Sequence, residues 1–90
     1  MSTALIEHLA TVTRWRAYVR QLAQDNVDVQ TLIYVHESRA LNAHYPLVRD
    51  AELRIVDALM SAIEMIQAEL VSAACVVVDV ERDYIEQAQS

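Results

Sequence analysis

VHESRALNAHYP, residues 35–46, holds two histidines, a glutamate, an arginine and the only proline of the chain. The sequence on either side has helical periodicity, so this stretch is either a chemical site or the place where one helix stops and another starts. Proline inside a helix loses a hydrogen bond and crowds the preceding turn, but its fixed φ suits the first turn of a new helix. The reading is therefore a reversal near Ala43 to Pro46, joining a helix of about 3–42 to one of about 46–87. Glu37 and Arg39 are expected as solvated neighbours of the bend. Asp50 and Glu52 are expected near the positive end of the second helix, where acids are favoured.

Before the bend, Leu5, His8, Val12, Trp15, Val19, Leu22, Asn26, Val29, Ile33, His36 and Ala40 alternate in steps of three and four, one seam along a helix. Leu9, Leu32 and Leu41 are expected to widen it. The weak point is QDNVD at 24–28, because Asn and Asp compete for backbone hydrogen bonds and prefer caps. The seam keeps its phase there, which favours a continuous helix; a break near Asn26 is the open alternative. After the bend, Leu59, Ile63, Ile66, Leu70, Ala73, Val77, Val80 and Tyr84 form one stripe, and Val56, Met60, Met65, Val76 and Val78 a second. VVVDV at 76–80 suits a strand on propensity, but one short strand has no partner here.

Composition supports an all-α fold. The 90 residues contain no Gly, Phe or Lys, so little is available for tight turns or a phosphate-cradling loop, both of which use residues that take positive φ cheaply. Only Asn26 and Asn42 are good candidates for that role. Cys75 is the single cysteine. It forms no disulfide within the chain and reads as a small buried hydrophobe in a reducing compartment.

A chain this short buries only about two-thirds of its unfolded surface, and small proteins commonly add metals, disulfides or subunits. One hairpin has a single internal seam, whereas the second helix is apolar around more than half its circumference. That surplus exceeds what monomers expose. The expected architecture is a long antiparallel helical hairpin that dimerises into a four-helix-bundle-like assembly, with Leu59, Ile63, Ile66, Leu70, Val77 and Val80 as interface residues.

Seven arginines face thirteen acids, for a formal net charge of −6. This imbalance disfavours nucleic acid as a partner, because phosphate recognition needs a basic stripe. The start MSTALIEHLATVTRWR lacks a basic segment and is interrupted by Glu7 and His8, so no secretion signal is read and a cytoplasmic location is expected. No membrane partner is expected either, since charges interrupt the apolar stretch from Leu53 to Val80 short of the roughly 20 residues a bilayer needs.

No cofactor and no metal site are expected. Helical ligands to one ion sit three or four residues apart, whereas His36 and His44 are eight apart with Ala40 between them. A metal-binding bundle would need histidines meeting at a two-fold interface. Cys75 has no local histidine and no serine sits on a glycine-flanked elbow, so no catalytic residue is assigned. Glu52, Asp57, Glu64, Glu69 and Glu81 fall between apolar positions, as on a solvated face.

The run YPLVRDAELRIVDALMSAI resembles the start of the second helix in the small all-helical chorismate mutases, a family of intertwined dimers. Membership would imply a helical enzyme with a Lys before this run and an Arg and Glu after its Arg-Asp. This chain has no Lys, and Leu53 and Arg54 follow Arg49 and Asp50 at those places; what the resemblance implies is a degenerate relative without that chemistry. In length, hairpin form and acidity the chain also resembles the helical hairpins exported by type VII secretion, but it lacks their Trp-x-Gly turn and their tail signal.

The functional expectation is a non-enzymatic interaction module: an adaptor, chaperone or inhibitor of the kind common among bacterial and phage regulators. It would act as a homo-oligomer and mask a surface of another, unidentified protein. Trp15 is expected in the core. Tyr18 and Tyr34 at the seam's edge, with Arg16 and Arg20, are the expected partner-binding residues.

Overall fold

Ser2 starts the first helix and Pro46 the second. The computed structural model describes residues 2–90 as two helices, α1 over Thr3–Leu41 and α2 over Pro46–Gln89, with no strand among the described residues. The Ser2 Oγ accepts a hydrogen bond from the Leu5 amide at 3.2 Å, satisfying a donor that the first turn leaves unpaired. At the other end of α1, Asn42 Nδ2 donates to the Ser38 carbonyl at 2.8 Å. No described residue has positive φ, so Asn42 closes the helix with its side chain rather than by a left-handed turn. The Tyr45 carbonyl then accepts from the amides of Val48 and Arg49, both at 3.1 Å, with Pro46 in the first turn where its missing N–H costs nothing. Asp50 and Glu52 lie beyond the first turn of α2, which holds no acid; the dipole argument for them therefore fails, since that effect fades within one turn.

α1 runs unbroken through Asn26. The QDNVD run stays helical with its polar groups engaged: Gln24 Nε2 donates to Asp28 Oδ1 at 2.8 Å, one turn on, and Asn26 Oδ1 accepts from Gln67 Nε2 at 3.4 Å. VVVDV is helical as well.

The chain divides into two compact units. The terminal unit pairs the part of α1 up to Ala23 with α2 from Glu69 onward; the turn unit is the segment Gln24–Ala68, a hairpin with its own bend. In the terminal unit Val12, Leu22 and Ala73 are buried, and Leu5, His8, Trp15, Val19, Leu70, Val77, Val80 and Tyr84 are half-buried. In the turn unit Ala40 and Val56 are buried, and Asn26, Val29, Ile33, His36, Leu59, Ile63 and Ile66 are half-buried. These are the positions of the three-and-four alternation, whose mean step of about 3.5 residues keeps one face of a helix against its neighbour.

Several readings are corrected by the same geometry. Leu9, Leu32 and Leu41 do not widen the seam: each is next in sequence to a seam residue, turned about 100° away, and each is exposed. Val56, grouped above with the second stripe, is buried, and Val76 is half-buried. Cys75 is exposed rather than buried. It lies two positions past Ala73, about 200° around the helix from a residue at the heart of the packing.

Candidate functional site

Three of the four expected partner-binding residues lie in the terminal unit. Arg16 Nε donates to Glu81 Oε1 at 2.7 Å, tying α1 to α2 at the surface. Tyr18 Oη donates to Glu69 Oε1 at 2.8 Å and meets Trp15 edge-to-face, with ring centroids 5.8 Å apart. That bond to Glu69 raises the Tyr18 pKa above the usual phenol value, with smaller contributions from desolvation and from the Glu69 charge, because ionising the phenol would lose a donor and set two anions together. Arg16 and Arg20 border a shallow cavity of about 270 Å³ with Val19, Ala74 and Val77. Arg14, Trp15 and Tyr18 border a second of the same size. The structure thus brings Arg16 and Arg20 together but gives Tyr18 a different recess. Tyr34 belongs to the turn unit and is 73% exposed.

Leu59, Ile63 and Ile66 in the turn unit, on the side of α2 that holds buried Val56, and Leu70, Val77 and Val80 in the terminal unit, on the side that holds buried Ala73, are half-buried. The exposed large apolar side chains of α2 are others: Leu47, Val48, Leu53, Ile55, Met60 and Met65 in the turn unit, and Val71, Val78 and Ile85 in the terminal unit. By length and composition α2 also qualifies to cross a membrane, and only 6% of the qualifying window is buried. The core helix of a soluble protein passes the same test, but with most of that window covered.

The histidine chemistry is local. His36 Nδ1 lies 2.5 Å from Glu52 Oε2, and both side chains are largely covered. Among the described residues no group of three His, Cys, Asp or Glu side chains is placed to hold a metal ion.

A recess at the bend was not foreseen. At the bend end of the turn unit, Glu37, Ala40, Leu41, Arg49 and Leu53 line an open groove of about 490 Å³. Two of its residues, Leu41 and Leu53, belong to seven-residue recurrences, Val27, Tyr34 and Leu41 on α1 and Leu53 and Met60 on α2. Residues seven apart lie on nearly the same side of a helix. All five are exposed. Neither a protein-family model, nor a characterised protein, nor a solved structure matches the chain.

Proposed function

We propose that this protein is a small non-enzymatic interaction module, an adaptor, chaperone or inhibitor that acts as a homo-oligomer and masks a surface of another protein in the cytoplasm. One observation carries the reading. Among the described residues five hydrophobic side chains are buried and seventeen large hydrophobic ones are exposed, which leaves apolar surface in water that association would cover. Arginines and tyrosines near the seam supply the side chains enriched where interfaces form.

The test is capture from a lysate by the immobilised full chain, compared with a chain carrying Arg20→Ala and Tyr34→Ala. Neither residue is buried, so the circular dichroism of the variant should match the wild type. The expected result is a specific protein recovered by the wild type and lost by the variant. Equal recovery by both, or none by either, overturns the masking role.

A second reading, insertion of α2 into a bilayer, is favoured by its uncovered apolar window. Opposing it, Glu64, Glu69 and Asp79 interrupt the apolar stretch, and an acid at a membrane helix centre costs about 2.5–3.5 kcal/mol. Flotation with phosphatidylcholine vesicles separates the two: the interaction module stays at the bottom of the gradient.

A further inference from the structure

We infer that the groove at the bend end of the turn unit is the contact through which two copies of this chain associate, groove against groove about a two-fold axis along the helices. The inference rests on the association reading above and names the face and the occupant. The groove's apolar lining is Ala40, Leu41 and Leu53, and beyond it the exposed Tyr34, Val27 and Met60 follow at seven-residue steps on the same two helices. Leu41 is 85% and Leu53 44% exposed. At roughly 100 Å² of uncovered surface for each of the five large side chains, one copy contributes about 500 Å² and two about 1,000 Å², the threshold for a specific interface before the groove's other walls are counted.

Charge selects the occupant. Glu37 and Arg49 stand on opposite helices at the groove's rim, and among the described residues neither is in an ion pair. A two-fold contact makes residue i of one copy meet residue j of the other, and the reverse. With the axis along the helices, α1 of one copy faces α2 of the other at the same level, so Glu37 meets Arg49 twice. One acid and one base over an apolar floor are thus complementary to themselves, which neither a nucleic acid nor an anionic lipid surface matches.

Sedimentation velocity on the full chain at micromolar concentration tests this. The wild type should sediment as a dimer. Leu41→Glu should weaken self-association by about 100-fold or more, since it places an unpaired charge in the contact. Met65→Glu alters a residue 69% exposed and outside both columns, and should leave the dimer intact. Glu37→Arg should weaken it about tenfold, and adding Arg49→Glu should bring it back, a rescue that a merely structural role would not give. Circular dichroism reports folding; if Leu41→Glu loses helix, Leu41→Gln replaces it. A monomeric wild type, a dimer broken equally by Met65→Glu, a dimer indifferent to Leu41→Glu, or a charge swap that restores nothing overturns the inference, as does association seen only with vesicles or only with a different protein. A monomer that still captures a partner sinks this inference and leaves the masking role standing; a dimer that captures nothing does the reverse.

Discussion

The terminal unit and the turn unit each follow the three-and-four alternation, with different side chains. In the terminal unit the buried positions are Val12, Leu22 and Ala73, and the polar ties between helices, Arg16 to Glu81 and Tyr18 to Glu69, sit at the exposed edge. In the turn unit only Ala40 and Val56 are buried, and Asn26 and His36 occupy seam positions that packing alone would give to leucine or valine. Their partners, Gln67 and Glu52, come from α2. A polar group on the seam gives up apolar burial and gains register, because a shifted alignment leaves it unpaired. The turn unit is also the more apolar outside, with Val27, Leu32, Tyr34, Leu41, Leu47 and Met65 among its exposed residues. The terminal unit exposes fewer of them, among these Ile6, Val71, Val78 and Ile85.

The largest expected effect breaks this contrast at its source. Leu22→Ala removes the largest of the buried side chains and should cost about 2–4 kcal/mol, toward the low end if the two helices close over the gap. Val56→Ala should cost about 2 kcal/mol by the same reasoning. Urea unfolding followed by circular dichroism measures both. If Val56→Ala proves the more damaging, the turn unit holds itself together better than its burial indicates, and the contrast is wrong.

A smaller effect sharpens it. His36→Ala leaves the largely covered Glu52 carboxylate without its partner, and should cost about 1–2 kcal/mol. Replacing both by Leu should be close to neutral, since an unmade bond costs more than an absent one. A double-mutant cycle gives the coupling, expected at about 0.5–1.5 kcal/mol. Asn26→Leu should raise stability slightly and loosen register, visible as a broader unfolding transition. Coupling near zero would reduce the polar seam to packing by default.

These residues also show what could be read from the chain beforehand. Periodicity located the seam of both helices, because burial in a two-helix pairing follows the step of three and four, and Pro46 located the second start because its ring permits little else. Asn26 was ambiguous because propensity is local while its partner Gln67 is 41 positions away. For the same reason the pairing of His36 with Glu52, rather than with the adjacent Glu37, was out of reach. Cys75 and Leu41 were misplaced by reading neighbours in sequence as neighbours on a face. The groove at the bend needed both helices at once: Glu37 and Leu41 precede the bend, Arg49 and Leu53 follow it, and no single-helix period joins them.

The smallest expected effect belongs to the terminal unit and is a dependence on pH. Tyr18 donates to Glu69, so its pKa when folded lies above the ordinary value of 10.0. A group whose folded pKa is raised contributes stability that is fully present below the unfolded pKa and is lost as pH rises through the folded one. The contribution of this pair is therefore constant through neutral pH and disappears only in the alkaline range, above the ordinary phenol value. Glu69→Gln removes the carboxylate charge and should move the Tyr18 titration down toward that value. Carbon-13 labelled tyrosine followed by NMR resolves the four rings, and alkaline unfolding of the variant should begin with a shallower slope. Because the pair sits at the exposed edge rather than on the seam, salt should weaken the effect, whereas the His36 and Glu52 coupling in the turn unit should respond to salt much less. Equal salt sensitivity in the two would mean that edge and seam do not differ in the way the buried side chains indicate.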